Sequence, residues 1–365
     1  MPWTTYRIQF LTPTFLAGAD PQQTEIRVPS IRGQLRWWFR ALGGNRGEEK
    51  SLFGGVHNGA QRSRVRLRIL DPLISRESRN LFDLVGTNMN QPQAYLLWPL
   101  RPTKTSEQKR GVIMPGGTFS LSVFLGPGVD HSLERKFWAA LDAWILLGAL
   151  GTRSRRGYGS VGPAAEKSRF PESLDSLRAW PKVLAETLSP FRSASLKAMT
   201  LGQGENDPDG ALDCLGRWLK GFRATRFIAK PKKWALNDHN AALGEGEVLY
   251  RPVIGLPLEQ RYQRGKRVVE TKAKDCARWA SPVHLKVIRA GRRYYPLAVF
   301  FPDMAIPEGS TLVLEEKGMG PRKQRTRKRA DWGLFREMMQ PGADSKVLWD
   351  SPGKSGDGPH FGVRQ

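Results

Sequence analysis

Cysteine is nearly absent: the 365 residues hold only Cys214 and Cys276, far apart and without a Cys-x-x-Cys spacing. That excludes a disulfide framework and a structural zinc site of ordinary ligand spacing, and it fits a reducing compartment, here expected to be the cytoplasm. Histidine is scarce too, and none of His57, His131, His239, His284 and His360 pairs at the spacing that puts two ligands on one helix face. No run of about 18 apolar residues occurs, so no membrane-spanning helix is encoded. The opening residues read at once as a strand and carry no secretory-leader pattern. The Gly-Lys-Ser/Thr ending of a Walker loop is missing, so no nucleotide cofactor is expected, and no metal. Acidic residues are the telling minority: 34 against 58 Lys and Arg, a formal net charge of +24. A surplus that large implies a polyanionic partner, because each phosphate neutralised by Lys or Arg releases condensed counterions. An acidic membrane surface is the weaker alternative.

What is present is enough for packed cores: 39% hydrophobic residues, 12 of them tryptophan, in a length that suits two modules. Residues 3–11 alternate as a half-buried strand. Ser30 is placed to cap a helix running to about Leu42 and stopped by Gly43-Gly44. Residues 64–70 alternate again, and further strands are predicted near 94–98 and over 118–125. Phe137, Leu141, Trp144 and Leu147 then form the apolar stripe of a helix over about 132–150. Strand, helix, strand, strand, helix with short connections suits a ferredoxin-like, RNA-recognition-motif-like sandwich. After Pro163 come helices near 174–191 and 211–225, and a strand-rich stretch over 248–301 with strands at 283–289 and 294–300. The expected architecture is α+β: two fused ferredoxin-like modules with helical insertions, over residues 1–165 and 166–350, with a flexible tail over 351–365. Residues 318–329 (GMGPRKQRTRKR) read as a basic loop.

Two segments carry candidate chemistry. In Arg32–Leu42 (RGQLRWWFRAL), the helical repeat gathers Arg32, Arg36 and Arg40 within about 80° of arc. Leu35, Trp38, Phe39 and Leu42 fall on a separate apolar arc, and Trp37 flanks the arginine row. Guanidinium groups one turn apart can each fork onto phosphate oxygens, and an indole beside them can stack on a base for about 1–3 kcal/mol. No acid is interleaved within the helix to neutralise the row. An ordinary solvated helix face is the plainer alternative. The second segment, Gly148–Gly162 (GALGTRSRRGYGSVG), combines five glycines, which permit close backbone approach and exposed N–H groups, with Arg153, Arg155, Arg156 and Tyr158. A simple helix-to-strand turn would need less charge.

That glycine-rich loop resembles the signature of the RAMP superfamily, the RNA-binding subunits of CRISPR–Cas effector complexes. Other pieces agree in order: residues 11–20 (LTPTFLAGAD), residues 28–40 (VPSIRGQLRWWFR) and residues 52–55 (LFGG), then residues 254–257 (IGLP) and 280–285 (ASPVHL) for a second module. The helix-opening motif is most similar to the first-subunit family of the type III-B Cmr complex. The resemblance implies a non-catalytic role at the head of a ribonucleoprotein, with the 3′ region of the CRISPR guide RNA, the single-stranded target RNA and other Cmr subunits as partners in antiviral defence. It also implies that Arg32, Arg36, Trp37, Trp38, Phe39, Arg40 and the loop around Arg153–Tyr158 face RNA or neighbouring subunits, whereas periodicity buries Trp38 and Phe39. Residues 168–245 match no known piece.

The competing class is a ribonuclease, using either the loop histidine His57 as general acid or base or Asp20 with a metal ion, Glu25 being the nearest second carboxylate. A DNA-binding or ribosome-associated protein is a third class that net charge alone does not separate.

Overall fold

In the computed structural model, the structure describes residues 2–56, 59–75, 77–79, 81–86, 91–100, 109–164, 170, 172–191, 195–224, 233–261, 268–276, 278–317 and 325–351. His57, residues 318–324 of the expected basic loop and the tail beyond residue 351 lie outside them. The molecule is α+β. By compactness it forms two units, one from Met1–Gly216, His284–Val299 and Ala343–Ser351, the other including Arg217–Val283 and Phe300–Gly342.

The first unit opens with strand Thr4–Phe10, whose alternation sends Tyr6, Ile8 and Phe10 into the core and Thr5, Arg7 and Gln9 to the other side. Helix Val28–Ala41, strands Val65–Leu73 and Thr118–Leu125, helix His131–Leu147 and strand Val161–Pro163 follow. The four strands form one antiparallel sheet in the order second, third, first, fourth. Both helices lie on the apolar side. Ile31, Leu35, Trp38 and Phe39 of one, and Phe137, Leu141 and Trp144 of the other, are buried with Phe119, Leu121 and Val123 of the sheet. Removing a ring as large as Trp38 from such a core costs about 3–5 kcal/mol.

A second run repeats the pattern in chain order: strand Lys197–Thr200, helix Pro208–Arg223, strands Val283–Ala290 and Arg293–Phe300, helix Gly333–Met338 and strand Val347–Asp350. Its four strands again stand in the order second, third, first, fourth. The second compact unit holds a five-stranded sheet, ordered Leu258–Arg261, Val268–Ala273, Thr311–Lys317, Arg325–Ala330 and Val248–Leu249. Within this unit the Asp238 carboxylate is buried. It accepts from Arg251 Nε at 2.9 Å and from the backbone N–H groups of Tyr250 and Arg251 at 2.7 and 2.8 Å. Burial still raises its pKa, because desolvation outweighs these bonds.

Local expectations were corrected at three places. The strand expected near 94–98 is a short helix, Pro92–Leu96, with proline in the first turn where no N–H is needed. The first long helix begins at Val28, not after Ser30, because Pro29 serves the same first-turn role, and Arg27 is the N-cap without a side-chain bond. Residues 325–329 of the expected basic loop belong to strand Arg325–Ala330, paired with Thr311–Lys317; Arg327 and Arg329 point to solvent, and Ala330 is buried. Among the described residues, no helix is long and apolar enough to cross a membrane.

Candidate nucleic-acid interface

The arginine row of the Val28–Ala41 helix forms as its spacing requires, but it is not uncompensated. The next helix, Arg46–Phe53, starts with a capping box in which Asn45 and Glu48 bond each other's backbone N–H. This fixes Glu49 beneath the row. Its carboxylate, only 7% exposed, accepts from Arg36 Nε at 2.6 Å and from Arg40 Nη1 at 2.5 Å. One carboxylate thus holds two guanidinium groups, leaving a single positive charge where two were expected. Arg32 is also turned onto the protein, with Nη2 3.4 Å from the carbonyl of Val65. Trp38 and Phe39 are buried, as periodicity required; the outward placement implied by the family motif is corrected.

The glycine-rich loop is held mainly by its own chain. The N–H groups of Leu150, Thr152, Gly157 and Gly159 donate to the carbonyls of Gly159, Phe15, Leu285 and Pro13, so these donors face protein rather than ligand. Gly157 and Gly159 have positive φ, and a Cβ at Gly159 would stand 1.9 Å from the carbonyl of Leu150. At Gly157 it would meet Leu215 at 2.7 Å. These glycines are required by packing before any ligand arrives. Arg153, at φ 69°, points inward, its Nε donating to the carbonyl of Leu96 at 2.7 Å. Tyr158 is 1% exposed against Phe15, and its hydroxyl is buried without a hydrogen-bond partner. Desolvation raises its pKa. The expected stacking surface at Tyr158 is therefore a core side chain.

The two segments nevertheless meet. The loop pairs with strand Val283–Ala290: the Leu285 N–H donates to the Arg155 carbonyl at 3.2 Å, and the Gly157 N–H donates to Leu285. This register sets His284 against Trp37, the rings stacked with centroids 4.4 Å apart. The Arg155 guanidinium lies 5.5 Å from the centroid of the half-buried Trp37 ring. Arg156 Nη1 donates to the carbonyl of Arg155. No carboxylate of a described residue pairs with Arg155. The buried His284 is held neutral, its pKa well below the ordinary value through desolvation and then through the positive charges of Arg155 and Arg156. Desolvation also lowers the pKa of Arg155, although guanidinium stays charged at any physiological pH. Two strand positions further on, the buried Lys286 donates to the Ile145 carbonyl at 3.0 Å, and burial holds its pKa well down.

Of the residues singled out by sequence, the structure joins Trp37, Arg155 and Arg156 in one seam, ties Arg36 and Arg40 to Glu49, and turns Arg153 and Tyr158 inward. Sequence reasoning missed Glu49 and His284. The Asn45-to-Glu48 capping box signalled the first, and the family-like segment 280–285 contains the second. Asp20 is exposed, its carboxylate accepting from the Gln22 N–H at 2.8 Å, and Glu25 lies 3.9 Å from Arg27. Among the described residues, no three His, Cys, Asp or Glu side chains gather as a metal site.

Comparison with known proteins bears out the resemblance. Residues 7–162 match the RAMP superfamily. CRISPR system Cmr subunit Cmr1-1 of Pyrococcus furiosus is 30% identical over 220 residues, 53% of this chain and 61% of that protein's length. Cmr1-2 of the same organism is 27% identical over 176 residues, 43% of this chain and 92% of that protein. The crystal structure of Pyrococcus furiosus Cmr1 in its apo form shares the fold, with a TM-score of 0.60 at 19% identity over 96% of this chain and 100% of that one.

Proposed function

We propose that this chain, a RAMP-superfamily protein similar to Cmr1, is a non-catalytic RNA-binding subunit of a type III-B CRISPR–Cas ribonucleoprotein in the cytoplasm. In this reading it holds the 3′ region of the guide RNA and the target RNA at the head of the complex, beside other Cmr subunits, in antiviral defence. Each strand–helix–strand–strand–helix–strand run is a ferredoxin-like module, the reading that the repeated strand order supports.

The observation that carries the RNA role is the seam of Trp37, Arg155 and His284. Two chain segments far apart in sequence place a guanidinium over a half-buried indole. A histidine beside them has its proton affinity lowered by burial first and then by the positive charges of Arg155 and Arg156. Positive potential beside a flat ring suits a phosphate next to an unpaired base. The +24 net charge supplies long-range attraction for the same partner.

Incubating the full-length protein with labelled single-stranded RNA and Mg²⁺ tests this directly. Binding that weakens steeply with salt, and an intact strand at the end, are expected. Cleavage abolished by Asp20→Ala or His57→Ala would replace the holding role with a ribonuclease, and absence of binding at low salt would remove the RNA role altogether.

A further inference from the structure

The sheet of strands Thr4–Phe10, Val65–Leu73, Thr118–Leu125 and Val161–Pro163 has one face packed under helices; its other, open face carries exposed side chains at Thr5, Arg66, Arg68 and Leu70. On the open face the antiparallel register puts the two central strands and one edge strand in line. Thr4 stands opposite Val123, so Trp3 comes opposite Phe124, and their ring centroids lie 5.5 Å apart. From the edge strand, Arg66 pairs with Phe124 and Arg68 with Ser122. The Arg68 guanidinium carbon lies 4.4 Å from the Trp3 ring centroid, and that of Arg66 lies 5.6 Å from Phe124. Arg7 lies across the same face, donating to Ser120 Oγ at 3.1 Å, Thr118 Oγ1 at 2.7 Å and the Asp71 carbonyl at 3.1 Å.

None of these three arginines pairs with a carboxylate of a described residue. Hydroxyls, a carbonyl and ring faces fix the guanidinium groups in place without cancelling their charge. Thr5, Arg66, Arg68 and Leu70 are exposed, and Trp3 and Phe124 are partly so. Between the arginines, Thr5 is exposed, while Ser120 and Ser122 are buried, Arg7 lying over Ser120. Thr5 Oγ1 already donates to Ser122 Oγ at 3.2 Å.

We propose that this face is a second nucleic-acid site, which takes the bases of single-stranded RNA. One base stacks on the Trp3–Arg68 pair and the next on the Phe124–Arg66 pair, while Arg7, opposite Ser120 and four residues along the first strand from Trp3, meets a phosphate further along the RNA. Guanidinium planes resting on aromatic rings present a flat, charged upper surface on which a base can lie. A duplex keeps its base faces buried and gains nothing from such rings. An acidic protein surface would match the arginines and leave the rings unused. The site is distinct from the Trp37 seam and rests on the reading that the chain binds RNA.

The full-length protein is titrated with a labelled ten-nucleotide oligouridine and with an abasic strand of equal length and charge. Trp3→Ala with Phe124→Ala should weaken oligouridine binding about tenfold or more and leave the abasic strand unchanged. Arg155→Ala should weaken both strands alike. Equal oligouridine affinity in the Trp3/Phe124 variant, with the Arg155→Ala effect retained, overturns the sheet-face site and leaves the RNA role standing. No effect from either variant overturns both. Photo-cross-linking of 5-iodouridine-containing RNA to wild-type protein is a second arm that needs no variant to fold: adducts at Trp3 or Phe124 are expected, and adducts confined to other residues overturn the proposal. Loss of co-purifying protein subunits in the Trp3/Phe124 variant, with RNA affinity unchanged, would assign the face to a protein and overturn it as well.

Discussion

Two arginine-bearing regions of the same sheet-and-helix unit behave in opposite ways. On the Val28–Ala41 helix and the loop that follows residue 148, charged and polar groups other than Arg155 turn back onto the protein. Glu49 holds Arg36 and Arg40, Arg153 caps the Leu96 carbonyl, and Tyr158 is core. On the open face of the sheet, Arg7, Arg66 and Arg68 are fixed by neutral partners and keep their charge. The difference teaches that a count of arginines does not locate a phosphate site. What matters is which guanidinium groups have no carboxylate, and that depends on residues distant in sequence.

The comparison breaks most visibly at Tyr158. Tyr158→Ala should cost about 3–5 kcal/mol of stability, read by denaturant unfolding. Tyr158→Phe should leave RNA affinity unchanged, because the hydroxyl is buried without a partner; a loss of affinity in this variant would place the hydroxyl at the ligand. Next in size is Glu49→Gln, expected to cost about 2 kcal/mol. That is less than a fully buried pair would lose, because the arginine heads are 38% and 45% exposed. The same variant frees guanidinium charge and should tighten RNA binding severalfold at low salt, an effect that fades as salt rises.

A smaller, pH-dependent effect follows from His284. Its pKa in the fold lies below the ordinary 6.5, so as the pH falls through that value the unfolded chain takes up a proton that the folded chain refuses. Stability should fall by up to about 1.4 kcal/mol per pH unit below pH 6.5, and His284→Gln should remove that share of the slope. The smallest expected effect sharpens the other side. Arg66→Ala with Arg68→Ala should change stability by only about 1 kcal/mol, the scale of exposed cation–π contacts, while reducing RNA affinity far more than this loss explains.

Much of the fold was legible because it depends on short-range periodicity. Residues 118–125 were read as a strand with the observed limits, and the 100° repeat buried Leu35, Trp38 and Phe39 correctly. Pairings between elements were not legible. Glu49 meets Arg36 and Arg40 only because a second helix folds back after Gly43-Gly44. Trp3 meets Phe124 only through strand register. Tyr158 sits among glycines and arginines, a composition that reads as exposed, yet the loop folds inward against Phe15. In Arg325–Ala330, charged and polar residues occupy both sides of the strand, so the alternation that marks a strand had no apolar partner to reveal it.

The most direct measurement is the salt dependence of single-stranded RNA binding by two full-length variants. Replacing Arg66, Arg68 and Arg155 with alanine removes three charges without carboxylate partners, and should flatten the slope of log K against log salt by about 2. Replacing Arg36 and Arg40, which share Glu49, should flatten it by about 0.7 or less. The reverse ranking would contradict the account.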